Sequence, residues 1–175
     1  RGRSTRLPGV LVTARVNEEG TSMIKPLDIE QLFVIATQRE NEAYEFYAAA
    51  ARKVENPNVR AMFQQLAKDE QGHFELLERF RSNPTDIMKI APPAADWKVA
   101  ESETMPTLST DMKPRDAIAL AMKKEQQAVE LYRALGAAAT TAETRHMFEN
   151  LANMELGHKH RLENMFIDVG YPELF

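Results

Sequence analysis

Two stretches of the chain decide its fold, because they repeat one another. Residues 36–78 read ATQRENEAYEFYAAAARKVENPNVRAMFQQLAKDEQGHFELLE, and residues 121–163 read AMKKEQQAVELYRALGAAATTAETRHMFENLANMELGHKHRLE. A shift of 85 residues aligns them without a gap and gives 16 identities in 43 positions. The shared residues include Glu40/Glu125, Glu70/Glu155 and His73/His158. The chain therefore contains a duplicated unit, which we expect to form two structurally equivalent halves.

The first repeat is predicted to form two helices. The first helix begins after Asp28, which serves as N-cap of a capping box completed by Gln31, and it continues to about Val54. Pro57 suits the first turn of the second helix, which runs to about Arg81. Because the connection between them is short, the two helices are expected to be antiparallel neighbours.

The second repeat is predicted to form an equivalent hairpin. Its first helix starts near Pro114 and reaches about Ala138. Its second helix opens with a capping box of Thr140 and Glu143 and ends near Gly170. The predicted fold is an all-α, ferritin-like antiparallel four-helix bundle built from two duplicated hairpins.

The remaining segments connect or precede the hairpins. Residues 82–113 are rich in Pro, Ser, Thr and Asp, show no sustained helical period, and are predicted to form a long crossover in which Trp97 packs on the bundle. The bundle with its crossover spans residues 27–175. Residues 1–26 are interpreted as an N-terminal arm, upstream of or added to the bundle; the alternative is a strand at Val10 to Val16 that pairs with another chain.

The composition limits the classes of function. There is no cysteine, so thiolate catalysis, cysteinyl iron–sulfur clusters and cysteine-ligated zinc are excluded. A net charge of −4 without a continuous basic stripe argues against nucleic-acid binding. No apolar run approaches the ~20 residues that cross a bilayer, so we expect a cytoplasmic protein without a membrane partner.

Six polar residues of the repeats fall on the predicted core faces. An advance of about 100° per residue places Phe33, Ala36 and Ala43 on the same helix face as Glu40, so this glutamate points into the core. The same construction applies to each repeat. It predicts six buried polar residues: Glu40, Glu70, His73, Glu125, Glu155 and His158.

Four carboxylates in an apolar core require compensating charge. Unpaired, each would cost several kilocalories per mole, and their repulsion would raise their pKa values. Two divalent cations neutralise four carboxylates, and two neutral imidazoles complete the coordination. One Glu from each of two helices and a Glu-x-x-His from each of the other two is the di-metal arrangement of ferritin-like bundles. The sequence therefore predicts two bound iron ions, with manganese or zinc as substitutes that the same ligands accept.

Two further observations refine the predicted site. Glu143 and His146 form a third Glu-x-x-His pair, but they fall on the solvent face and have no counterpart in the first repeat, so they are rejected as ligands. Tyr47 and Tyr132 lie seven residues beyond the lone glutamates on the same face. They are either hydrogen-bond donors or redox relays for the centre, or they simply fill the core.

These residues resemble those of a known family. The stretches Arg39-Glu40-Asn41-Glu42-Ala43, Glu70-Gln71-Gly72-His73, Glu125-Gln126-Gln127-Ala128 and Glu155-Leu156-Gly157-His158 are similar to the ligand segments of the rubrerythrin branch of the ferritin-like superfamily. The resemblance implies a non-haem di-iron centre that reacts with hydrogen peroxide or dioxygen. Without the family's cysteine-bearing rubredoxin module, electrons are expected from a separate donor protein. Ala128 stands where rubrerythrins carry an extra glutamate, a departure that weighs against efficient peroxidase turnover.

Two functions follow from the resemblance. The first is a peroxidase-like oxidoreductase with an external reductant, expected to form a homodimer whose hairpins are either kept within one chain or exchanged. The alternative is a ferroxidase or iron-handling protein of the ferritin type. A dimanganese catalase or an oxygenase shares the same ligands.

Overall fold

Five helices make up most of the described chain. The computed structural model describes residues 15–16, 22–23, 28–83 and 89–170. Within these residues the helices are α1 (Ile29–Lys53), α2 (Pro57–Ser82), α3 (Val99–Ser102), α4 (Pro114–Ala138) and α5 (Ala142–Gly170). The predicted all-α class and the four long helices are confirmed.

The ends of the first hairpin follow the predicted local chemistry. Asp28 Oδ1 accepts a hydrogen bond from Gln31 N at 2.9 Å, and Gln31 Oε1 accepts one from Asp28 N at 3.0 Å. Both halves of the capping box are therefore present. Asn56 caps α2 by accepting from the amides of Asn58 and Val59, and Pro57 occupies the first turn.

The start of α5 differs from the prediction by one residue. Thr141 Oγ1, not Thr140, accepts a hydrogen bond from the Thr144 amide at 3.2 Å, and it lies 2.9 Å from the Thr144 hydroxyl. The predicted capping box of Thr140 and Glu143 is therefore wrong. Thr140 and Thr141 have the same capping chemistry, so the sequence does not distinguish them. The burial of Thr144, which is 2% exposed, fixes the register of the helix and makes Thr141 the cap.

The core consists of two apolar layers that contain equivalent residues of the two repeats. The first layer joins Tyr47 and Phe63 with the start of α4, from Ala117 to Met122. The second layer joins their repeat counterparts, Tyr132 and Phe148, with the start of α1. Shifting by 85 residues therefore exchanges one layer for the other. Because each layer combines one end of α1 with the opposite end of α4, these two helices are antiparallel.

The crossover, which connects the two hairpins, runs along the outside of α5. Ile90 N donates to Asn150 Oδ1 at 2.9 Å, and Trp97 Nε1 donates to Asn164 Oδ1 at 2.9 Å. The Trp97 ring stacks on His160 but remains 55% exposed, so it contacts the bundle with one face only. His160 is half-buried beneath it.

A buried lysine fastens this crossover to α5. Lys159 is 1% exposed, and its Nζ lies 2.6 Å from Asp96 and 2.9 Å from Glu101, both in the crossover. Glu163, fully buried one turn along α5, accepts from the backbone amides of Trp97 and Ala100. These contacts hold α3 against the bundle.

The described part of the N-terminal arm contains one short antiparallel pair. Strand β1 (Arg15–Val16) pairs with β2 (Ser22–Met23) of its own chain, with Arg15 opposite Met23. Residues 10–14 of the predicted strand lie outside the described residues, so its pairing with another chain stays a prediction. Among the described helices, none is both long and apolar enough to cross a membrane.

Candidate metal centre

All six predicted ligands meet between the two apolar layers. Glu40 lies on α1, Glu125 on α4, and the two Glu-x-x-His pairs lie on α2 and α5. Each glutamate is at most 1% exposed, His73 is 1% exposed and His158 is 8% exposed. The helical spacing of three residues points Glu and His of each pair toward the same region.

Their donor atoms form two overlapping groups. Glu40, Glu70, His73 and Glu155 place one donor atom each within 4.8 Å of the others, and Glu70, Glu125, Glu155 and His158 do the same. Glu70 and Glu155 belong to both groups, so these two carboxylates would bridge two ions. All six residues come from one chain.

Short contacts define the geometry of the histidines. His73 Nδ1 lies 3.0 Å from Glu155 Oε1 and 3.4 Å from Glu40 Oε2. His158 Nδ1 lies 3.5 Å from Glu155 Oε2 and 3.6 Å from Glu125 Oε2. The two imidazole rings are stacked, with centroids 5.1 Å apart and an interplanar angle of 13°. The Nδ1 atoms of both rings therefore face the carboxylates.

The electrostatics of the cluster favour bound cations. Burial raises the pKa of Glu40, and burial together with the charge of Glu155 raises the pKa of Glu125 to about 7. Burial alone would lower the pKa of His158, but its contacts with Glu125 and Glu155 outweigh burial and raise the pKa to about 10. The cluster thus retains protons that metal ions can replace.

The hydrogen-bond inventory supports the same interpretation. Apart from the His–Glu contacts within the cluster, several buried donor atoms have no hydrogen-bond partner among the described residues: both oxygens of Glu40, both oxygens of Glu155, Glu70 Oε1, Glu125 Oε2, and Nδ1 of His73 and His158. Buried polar atoms are rarely left unpaired, and unpaired groups indicate a ligand. Carboxylate and imidazole donors of this number suit two ions of iron, manganese or zinc.

The two predicted tyrosines differ in their contacts. Both are fully buried. Tyr47 OH donates to Glu125 Oε1 at 2.5 Å, whereas Tyr132 OH has no hydrogen-bond partner among the described residues. Burial and the charge of Glu125 raise the pKa of the Tyr47 phenol, which therefore stays protonated and donates. Tyr47 supports a ligand carboxylate from outside the cluster.

Two residues beside the centre were missed by the sequence reasoning. Arg39 is half-buried, its Nη2 donates to the Lys124 carbonyl at 3.4 Å, and the four cluster glutamates raise its pKa against the effect of burial. Asp69 Oδ2 lies 3.7 Å from His158 Nε2 and 3.3 Å from Arg161. The basic pair Arg39 and Lys124, one residue before each lone glutamate, was a visible signal; Asp69 had none, because its repeat counterpart is Met154.

The exposure of the Glu143 and His146 pair and the burial of Ala128 agree with the sequence analysis. Glu143 and His146 are both exposed. Ala128 is 1% exposed and packs in the second apolar layer, so no carboxylate occupies that position. A third acidic group, Asp96, Glu101 and Glu163, already surrounds the Lys159 ammonium and is a structural ion-pair cluster.

The fold and the cluster together define a ferritin-like helical bundle with a buried carboxylate–histidine centre compatible with two iron ions. The family model of rubrerythrin matches residues 12–81 and 93–173, so this chain belongs to the rubrerythrin family. A solved structure of a hypothetical protein, Pfu-1136390-001 from Pyrococcus furiosus, is 25% identical with a TM-score of 0.57; the match covers 85% of this chain and 94% of that one. No curated protein matches the chain significantly.

Proposed function

We propose that the protein is a non-haem di-iron oxidoreductase that reduces hydrogen peroxide or dioxygen with electrons from a separate donor protein. The observation that carries the proposal is the pair of overlapping donor groups, in which Glu70 and Glu155 are shared. The overall peroxide reaction takes up two electrons and two protons and yields two water molecules. The iron ions, when bound, supply the two electrons that cleave the O–O bond.

The chain's own residues have three tasks in this reaction. The six ligands hold the ions, and the two apolar layers keep bulk water away from them. Tyr47 fixes the orientation of Glu125 through its hydrogen bond. Arg39 places a permanent positive charge beside the four carboxylates, which lowers the cost of burying them.

Rapid mixing tests the proposed reaction. The iron-loaded, reduced protein is mixed anaerobically with hydrogen peroxide, and iron oxidation is followed by absorbance. Oxidation should be much faster than that of free ferrous ion at the same concentration. Equal rates would contradict the proposal.

The chain contains its own matched control for this experiment. Glu155→Gln/His158→Gln removes a buried Glu-x-x-His pair, and Glu143→Gln/His146→Gln removes an exposed pair with the same spacing. We expect the first variant to lose bound iron and fast oxidation and the second to retain both. Elemental analysis of protein purified without added metal identifies the resident ion.

An iron-handling role is favoured by one observation, the apolar Ala128. Without a carboxylate at this position, the ligand set has fewer means of rearranging between oxidation states. In that role the same centre would oxidise ferrous ion and release it. Size-exclusion chromatography after iron loading discriminates the two roles, since a hollow shell with mineral supports storage and a homodimer without mineral supports the oxidoreductase.

A further inference from the structure

The outer side of the first hairpin carries a basic groove between α1 and α2. This outer groove has a volume of about 640 Å³, with Ala51 and Ala67 at its floor and Arg52, Arg60 and Lys68 among its lining residues. No acidic residue lines it, although the chain has a net charge of −4. Among the described residues, no carboxylate forms an ion pair with the three basic side chains.

The second hairpin shows which of these charges have a structural explanation. Arg60 donates to the Val54 carbonyl at 3.0 Å, and its repeat counterpart Arg145 donates to the Ala139 carbonyl at 3.3 Å. In both halves this arginine therefore donates to the carbonyl group at the C-terminal end of the preceding helix. By contrast, Arg52 and Lys68 correspond to the neutral Ala137 and Asn153. Their charges belong to the first hairpin alone.

The same side of the second hairpin binds part of the crossover, including two acidic residues. Asn150 and Asn153 hold the backbone amide and carbonyl of Ile90, each at 2.9 Å. Two turns further along α5, Lys159 binds Asp96 and Glu101 of the same crossover. The molecule thus already shows how the outer side of such a hairpin binds a chain segment, through polar contacts to the backbone at Ile90 and a cation that pairs with carboxylates.

We propose that the outer groove binds an extended, carboxylate-rich segment of a partner protein. Arg52 and Lys68 pair with carboxylates of that segment, and the alanine floor allows its backbone to approach the helices closely. Position 68 is the repeat counterpart of Asn153, which contacts the crossover. The net negative charge of the chain disfavours nucleic acid as the occupant, since a continuous phosphate backbone would be repelled outside the groove.

The groove lies against α2, the helix that carries two of the six candidate metal ligands, Glu70 and His73. Ala67 at the groove floor precedes Glu70 by one turn of α2. Binding to the groove requires no bound metal, so the experiment is performed on apo and iron-loaded protein alike. Failure of this inference and failure of the proposed function are therefore distinguishable.

Peptide binding tests the inference directly. The probe is a fluorescein-labelled twelve-residue peptide of alternating Glu and Ser, followed by fluorescence anisotropy at low and high salt. Comparison probes are the same peptide with Gln in place of Glu and a twelve-nucleotide oligothymidylate. We expect the acidic peptide to bind most tightly at low salt and to weaken as salt is added.

Charge-neutralising variants locate the binding. Arg52→Gln/Lys68→Gln should weaken binding of the acidic peptide by about fivefold to tenfold, as expected for the loss of two exposed ion pairs. The matched control Arg133→Gln/Lys113→Gln removes the same charge from exposed positions outside the groove and should leave binding unchanged. Circular dichroism confirms that both variants are folded.

Cross-linking supplies a second readout. A carbodiimide joins lysine amines to carboxylates in contact, and mass spectrometry should find the peptide attached to Lys68. Equal affinity of the two double variants, attachment elsewhere, or tighter binding of the oligothymidylate would each overturn the inference.

Discussion

At the scale of single residues, the two buried tyrosines break the symmetry of the repeat. Tyr47 donates to Glu125, but Tyr132, at the equivalent position, has no hydrogen-bond partner among the described residues and does not donate to Glu40. The repeat predicts that Tyr132 should serve Glu40 as Tyr47 serves Glu125. The structure therefore contains one of the two equivalent tyrosine–glutamate hydrogen bonds, that of Tyr47 to Glu125.

This asymmetry predicts unequal effects of two identical substitutions. Tyr47→Phe should destabilise the metal-free protein by about 2 kcal/mol, because it removes a hydrogen bond to a buried carboxylate. Tyr132→Phe removes a buried hydroxyl that has no hydrogen-bond partner among the described residues, so it should not destabilise the protein. Urea unfolding of both variants measures the difference, and equal losses would contradict it.

The protonation of the cluster predicts opposite pH dependences of the apo and metal-bound protein. The folded-state pKa of Glu125 is raised to about 7 and that of His158 to about 10. The folded apo protein therefore binds more protons than the unfolded chain, so its stability falls as pH rises from about 5 through 7 and on toward 10. Metal binding displaces those protons and strengthens over the same interval.

Thermal unfolding between pH 5 and 8 checks this expectation. The melting temperature of the apo protein should decrease with pH, while the increment produced by added metal should grow. A constant increment across the interval would show that the ions do not displace protons from these side chains.

At the scale of elements, the start of α5 offers a sensitive test of helix capping. Thr141→Ala should cost about 1 kcal/mol, because the Thr144 amide loses its acceptor. Thr140→Ala is the matched control and should be nearly neutral. Chemical denaturation of the two variants distinguishes the observed cap, Thr141, from the predicted cap, Thr140. If Thr140 were the cap, Thr140→Ala would be the more destabilising substitution.

The attachment of the crossover depends on one buried cation. Lys159→Met should destabilise the protein by about 3 kcal/mol, because it leaves Glu163 buried without its ammonium partner. This value is at the lower end for buried ion pairs, because the other two partners, Asp96 and Glu101, are partly exposed. Adding Glu163→Gln should recover part of the loss. Urea unfolding measures both, and a fully additive double variant would contradict the proposed coupling.

At the scale of the whole molecule, bound metal should determine much of the stability. Ions that bind the folded chain alone stabilise it by about 4 kcal/mol at a thousandfold excess over the dissociation constant. Chelation should therefore lower the melting temperature of the wild type. The Glu155→Gln/His158→Gln variant serves as the comparison, because a chelator should not affect a protein that no longer holds the ions.

The repeat explains why so much of the architecture could be predicted from the sequence. Helix ends at Asp28 and Pro57 follow from local chemistry, and the burial of Glu40 and Glu125 follows from helical periodicity applied to each repeat. Asp69 beside His158 and Lys159 beneath the crossover were not predictable, because both depend on which segments pack together. Their repeat counterparts, Met154 and Phe74, give no hint of either contact.

The exchange of the two apolar layers by the repeat has a consequence for the separate halves. Neither hairpin can close a layer alone, and each contributes only three of the six ligands, so a single hairpin would need a second copy to hide its apolar face. Because the two halves are joined in one chain, no second copy is needed, and the surface residues of the two halves can differ. The second half carries Lys159, which anchors the crossover, whereas the first half has Phe74 at that position and carries Arg52 and Lys68, which form no ion pair with any described carboxylate.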